Sequence, residues 1–301
     1  MEKPNEALDA IRKHVPGLAL RTIERIESGQ NNEVWLVDAA FIFRFPRYGE
    51  GVRQLRREAE LLGRIAGRLP LAVPRPEYGV LEPAGAGRAF MGYRRIEGAP
   101  LEGERLHRLN DTASLRGIAV QLTGFLKALH ATNLAGGWLE LEAGSFDPYR
   151  EWEELYERLR LELYRFMNPK ACDRTDRHFA DFFAARGHSR IEAALIHGDF
   201  GGSNILFDPS ENRVTGVIYF GSAQIGDPAT DYAALSASYG DEFLRIAAEL
   251  NPDILGMRDR ILFYKGTFAL QEALFGLEHG DDGAFKSGLA TVNARTDRPS
   301  G

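Results

Sequence analysis

Along the first hundred positions the hydrophobic residues come in short runs, rich in β-branched and aromatic side chains and broken by turn signals. Leu20–Ile26, Glu33–Val37 and Phe41–Phe45 read as strands, separated by turns at Ser28-Gly29 and Asp38. Ahead of them, Asn5–Val15 reads as a short helix capped by Asn5 and stopped at Pro16. A charged helix is predicted over about Gly51–Leu69, ending before Pro70, and strands over Glu77–Leu81 and Arg88–Ile96 flank a turn at Pro83–Gly87. After Gly98-Ala99-Pro100 the period changes. Leu115, Ile118, Ala119, Leu122, Phe125, Leu126 and Leu129 follow the spacing of one buried helical stripe. Helical patterns dominate from there, interrupted by a strand-like pair at Asn204–Phe207 and Val214–Phe220. The expectation is an α+β chain with a small sheet-rich lobe over 1–97 and a larger, mainly helical lobe over 98–301.

Composition narrows the class. With 44% hydrophobic and 27% charged residues the chain has the balance of a folded protein rather than a disordered one. A formal charge of −6 argues against nucleic acid as the main partner, which needs a concentrated basic surface, and suits a cationic small molecule. The lone Cys172 excludes an intrachain disulfide and speaks against a cysteine-based zinc site. Neither a secretory signal nor a bilayer-spanning run is evident, so the expectation is a cytoplasmic monomer with no membrane partner.

The segment richest in chemistry is Leu195-Ile196-His197-Gly198-Asp199-Phe200-Gly201-Gly202-Ser203-Asn204-Ile205-Leu206-Phe207. An apolar run feeds His-x-Asp, a glycine-rich loop follows, and Asn204 enters a second apolar run. Phosphoryl transfer needs a carboxylate beside the acceptor hydroxyl and an oxygen ligand on the Mg²⁺ that neutralises the phosphates. A tight loop presenting Asp199 and Asn204 to one crevice supplies both. His-x-Asp alone arises about 0.4 times by chance in such a chain, and the added Asn lowers that to roughly 0.02.

At this point the chain resembles the aminoglycoside phosphotransferase family, small-molecule kinases of the protein-kinase-like fold, and within it the 2″-phosphotransferases. The resemblance runs roughly from Ile23 to Leu289. It is carried by Phe41-Ile42-Phe43-Arg44-Phe45-Pro46, by Leu55 to Leu62, by Ala128-Leu129-His130, by the His197–Asn204 loop, and by Gly226-Asp227-Pro228-Ala229-x-Asp231-Tyr232-Ala233. It implies Asp199 as the catalytic carboxylate, Asn204 as a magnesium ligand, Arg44 over the phosphates of ATP or GTP, and Glu58 as the partner of Arg44. Glu27–Glu33 would be the phosphate loop, with Ser28 facing the phosphates. Tyr93-Arg94-Arg95-Ile96 would be the hinge against the purine, where an aromatic at Tyr93 narrows the base pocket.

One position departs from the pattern. The family's second metal motif ends in Ile-Asp-Phe/Trp-Gly, whereas this chain reads Ile218-Tyr219-Phe220-Gly221. A phenol is a poor ligand for hard magnesium. The chain is therefore a natural pseudokinase, a kinase whose metal is rescued by another carboxylate such as Asp227, or a variant of an active enzyme. Asp227 otherwise reads as a helix N-cap, and Asp231 as a brace for the catalytic loop. An aminoglycoside needs carboxylates for its amines; the candidates beyond Asp199 are Asp241, Glu242 and Glu278, with Glu272, Asp281 and Asp282 as further acids. A kinase acting on another small alcohol (a sugar, choline or homoserine) competes with that reading.

Overall fold

In the computed structural model, which describes residues 3–26, 32–81, 88–109, 111–187 and 191–294, the early apolar runs form a five-stranded antiparallel sheet. Helix α1 (Lys3–His14) precedes strands β1 (Ile23–Ile26), β2 (Asn32–Val37) and β3 (Phe41–Pro46). Helix α2 (Gly49–Ile65), β4 (Pro76–Val80) and β5 (Phe90–Arg94) follow. The sheet order is β1-β2-β3-β5-β4.

Side chains alternate across a strand, so each face has its own character. Trp35 and Val37 of β2, Phe43 and Phe45 of β3 and Phe90 of β5 share one face, which packs against Ala7 and Ile11 of α1 and Val15 just after it. Burying each aromatic stabilises the fold by roughly 1.5–3 kcal/mol. Gly92 of β5 is required here, because a Cβ would lie 2.5 Å from the Phe43 ring. The other face carries Val34 and Leu36, paired in register with Arg44 and Ile42. On α2 the buried positions Leu55, Glu58, Leu62 and Ile65 form one stripe, and Glu58 is the charged residue on it.

By contacts the chain divides into two units, Met1–Thr132 with Asp199–Ala223, and Asn133–Gly198 with Gln224–Gly301. The first unit also holds helix Thr112–His130, capped by Asp111 and buried along the stripe that the sequence predicts. Its hairpin, Ile205–Asp208 against Arg213–Val217, is extended by the short strand Ala99–Pro100. In the second unit Ala194–Ile196 pairs antiparallel with Gln224–Gly226. Around them lie helices Pro169–Ala184, Ala229–Leu250, Arg258–His279 and Asp282–Ala294. The rings of Phe182 and Phe263 stack at 3.8 Å in that unit's core. Among the described residues no helix is long and apolar enough to cross a membrane.

Several boundaries differ from the sequence expectation, each for a backbone reason. The first helix begins at Lys3, so Asn5 lies inside it and is not its cap. The first strand starts at Ile23, because Leu20 adopts φ +46°. Helix α2 stops at Ile65, where Ala66 turns extended and Gly67 takes φ +79°. Strand Val214–Phe220 shortens to end at Val217, because Tyr219 is left-handed and Phe220–Ser222 make a 3₁₀ turn. The turns placed at Ser28-Gly29 and Pro83–Gly87 lie outside the described residues.

Candidate functional site

The glycine-rich loop is fixed at both ends by hydrogen bonds to its backbone. In the second unit, the amides of His197 and Gly198 donate to the two carboxylate oxygens of Asp231, each at 2.9 Å. Gly198 takes φ +77°, which sharpens the bend just before Asp199. In the first unit, Phe200 stacks on Phe125 at 5.6 Å. Gly202 passes so close to Leu101 that a Cβ would sit 2.5 Å from its carbonyl oxygen. The Asn204 amide group then closes the loop, donating to both the backbone oxygen and Oδ2 of Asp199 at 2.8 Å. The expected carboxylate and amide are thus in direct contact.

Both line a cavity of about 540 Å³ within the first unit. Along β2 and β3 its lining runs from an apolar end at Leu36 and Ile42, through Val34 paired with Arg44, to a polar end at Asn32; Asp199, Asn204, Ile218 and Tyr219 line it as well. The β2–β3 register orders these residues, since Leu36 pairs with Ile42 and Val34 with Arg44. A flat heteroaromatic fits the apolar end and an anionic chain the polar one. Tyr93, Arg95 and Ile96 contribute to the wall.

Arg44 is 3% exposed, and its guanidinium donates to Glu58 Oε1 at 2.5 Å. The same carboxylate oxygen accepts the Phe220 amide at 3.1 Å, tying β3, α2 and the Tyr219 turn together. Burial works to lower the Arg44 pKa, but Glu58, Tyr93 and Tyr219 more than offset it and hold it above the ordinary arginine value. The Tyr93 phenol is pushed up by its own burial, against the pull of Arg44. Tyr219 follows Ile218, whose amide donates to the Asn204 carbonyl at 2.9 Å. Its ring lies 5.1 Å from the Arg44 guanidinium carbon, in cation–π range. Its backbone is left-handed (φ 68°, ψ 68°), a region that Asp and Asn enter more readily than bulky side chains.

Other residues singled out in the sequence lie apart from this cluster. Ser28 falls outside the described residues. Arg94 does not line the cavity; it pairs with Glu77 at 3.2 Å and lies over Phe41. Asp241, Glu242 and Glu278 belong to the second unit, and each of these three has a basic partner there. Asp241 meets Lys265 at 2.8 Å, Glu242 meets Arg245 at 2.7 Å, and Glu278 meets Arg158. Asp227 accepts from Arg260 Nε at 2.6 Å, Tyr264 at 2.8 Å and the Ala229 amide at 3.0 Å, so its carboxylate is committed to that unit's core. Asn32, which the resemblance includes in the phosphate loop Glu27–Glu33 without a role of its own, opens β2 and lines the cavity, and its buried side-chain oxygen has no hydrogen-bond partner among the described residues. Its signal was modest: a polar residue two positions before Val34 on the cavity face of β2.

The magnesium implied by the resemblance can be tested against the side chains present. Magnesium takes hard oxygen ligands, held through carboxylates. The cavity offers the Asp199 carboxylate, already bonded to the Asn204 amide nitrogen, the side-chain oxygens of Asn204 and Asn32, and a phenol packed on Arg44. Among the described residues no group of three His, Cys, Asp or Glu side chains converges where it could hold a metal. The donor set thus lacks the second carboxylate that the resemblance expects at position 219.

A family model described as "Phosphotransferase enzyme family" matches residues 22–258. Viomycin phosphotransferase of Streptomyces vinaceus is 30% identical over 292 residues, covering 94% of this chain and 96% of that protein. Among solved structures, the GDP and kanamycin complex of APH(2")-IIia shares 24% identity and a TM-score of 0.85, over 95% of this chain and 96% of that one. Macrolide 2'-phosphotransferase type I shares 21% identity and a TM-score of 0.72, over 98% and 99%. Chains of this kinase-like fold therefore match almost end to end.

Proposed function

Because this chain belongs to the phosphotransferase enzyme family, we propose that its scaffold moves the γ-phosphoryl group of ATP or GTP to a hydroxyl of an aminoglycoside antibiotic, with turnover held down by Tyr219. The observation that carries the reading is the single cavity in which Asp199, Asn204 and Arg44 meet beside an apolar slot. In that arrangement the slot takes the base, and the backbone near Arg95 and Ile96 meets its edge. Arg44 lies against the phosphates, its own charge fixed by Glu58. Asp199 orients the acceptor hydroxyl and accepts its proton as the new P–O bond forms and the bond to the β-phosphate oxygen breaks. Asn204 is a positioning residue, since its amide fixes the rotamer of Asp199.

The acids of the second unit support a cationic substrate in spite of their partners. Glu242, Asp241 and Glu278 pair with bases in partly exposed positions, and such pairs contribute about 0–1 kcal/mol. A polyammonium ligand can exchange with them at little cost. Viomycin joins the candidate substrates through the relative at 30% identity. The deciding experiment measures phosphotransfer to kanamycin, gentamicin, streptomycin and viomycin, with ATP and GTP and with magnesium supplied, by the chain and by its Tyr219→Asp form. Restoring the carboxylate is expected to raise turnover at least ~100-fold, because charge is neutralised there in the transition state. Equal turnover in both forms would overturn the role given to position 219.

A further inference from the structure

We infer that the cavity takes up a nucleoside di- or triphosphate without a divalent cation, Arg44 supplying the charge that a metal provides elsewhere. The inference rests on the nucleotide reading above and concerns how that site is controlled. Tyr in place of a carboxylate does two things at once. It removes a metal ligand, and it removes a negative charge that would face the phosphates. Among the described residues that line the cavity Asp199 is the one carboxylate, its Oδ2 partly satisfied by Asn204, while the Glu58 carboxylate is engaged by Arg44 and the Phe220 amide. Arg44 is held there by Glu58 and by the Tyr219 ring, so its position is set before any ligand arrives. Arg95, the other cation lining the cavity among the described residues, sits beside Ile96 with Glu97 at 3.6 Å.

The backbone at Tyr219 makes the inference testable by a conservative route. A left-handed residue with φ 68° accepts Asp at least as easily as Tyr, so Tyr219→Asp introduces a carboxylate without reshaping the turn. Tyr219→Phe keeps the ring on Arg44 and deletes the hydroxyl.

The test is calorimetric titration of the full chain with ADP and with GDP, in EDTA and in millimolar magnesium, repeated on both variants. The chain and Tyr219→Phe are expected to bind a nucleotide with Kd values that agree within about threefold between the two conditions. Tyr219→Asp is expected to bind at least about tenfold more weakly in EDTA than in magnesium. A tenfold magnesium requirement in the chain itself overturns the inference and leaves the nucleotide reading standing. Magnesium-independent binding by Tyr219→Asp overturns the assignment of the lost ligand to position 219. If neither nucleotide binds under any condition to a chain whose melting curve shows it folded, the nucleotide reading falls with it.

Discussion

Arg44 carries a full charge at 3% exposure, and its neighbours differ in what they contribute. The cation–π contact with Tyr219 is worth about 0.5–2 kcal/mol. The ion pair with Glu58 matters more, because removing one partner of a buried pair leaves a charge without compensation and costs about 3–5 kcal/mol. Glu58→Gln keeps an oxygen for the Phe220 amide but removes the charge opposite Arg44. It is therefore expected to lower the unfolding free energy by about 3 kcal/mol or more, read from urea unfolding followed by circular dichroism. Tyr219→Phe, which keeps the ring, is expected to lie within about 0.5 kcal/mol of the parent chain. Part of this was legible in the sequence. The pairing of Glu58 with Arg44 follows from the resemblance, whereas the place of Glu58 on the buried stripe of a highly charged helix, with Leu55, Leu62 and Ile65, shows only in the structure. The Tyr219 substitution was also legible from its flanks. Its left-handed backbone was not, because φ at a non-glycine residue leaves no mark in composition.

At the scale of elements, periodicity located the strands and helices and local chemistry ended them. The β2–β3 pair and the buried stripe of Thr112–His130 follow from side-chain pattern alone. The short strands Ala194–Ile196 and Gln224–Gly226 flank the glycine-rich loop and the Asp227 turn but are too brief to announce themselves. A second feature invisible to pattern is the joint between helix Arg150–Arg158 and helix Pro169–Ala184, which passes through a π-helical turn at Leu159–Leu163. There Tyr156 and Tyr164 both donate to Asp176 Oδ1 at 2.6 Å. Burial alone would raise the Asp176 pKa, but the two phenol bonds and Arg160 lower it below the ordinary aspartate value. A depressed carboxylate contributes stability that is complete above its unfolded pKa of about 3.9 and is lost as pH falls through the folded value. Asp176→Asn retains an acceptor for the phenols and cannot titrate there. The melting temperature of the parent should thus exceed that of Asp176→Asn near neutral pH, and the gap should close as pH is lowered below about 4. A gap unchanged across that range would show that the carboxylate charge has no part in the joint.

For the whole molecule, the residues proposed for the nucleotide and the acids proposed for the substrate's amines belong to different units. The cavity draws its lining from Met1–Thr132 and Asp199–Ala223, while Asp241, Glu242 and Glu278 belong to the other unit. The reaction type was readable from sequence because Asp199 and Asn204 sit five apart in one short loop. The substrate was not, because acids on helices such as Ala229–Leu250 look alike whether they meet a ligand or a neighbouring arginine. Nucleotide and antibiotic should therefore leave separate footprints in amide hydrogen exchange. ADP at about a hundredfold over its Kd stabilises whatever it binds by about 2.7 kcal/mol against local opening. Slowed exchange is expected along β2, β3 and Phe200–Tyr219, with helix Arg258–His279 little changed. Kanamycin should act in the reverse sense, slowing exchange around Asp241 and Glu278 and leaving β2 and β3 unaltered. Slowing by ADP confined to the second unit would displace the nucleotide from the Arg44 cavity, whatever turnover the chain shows.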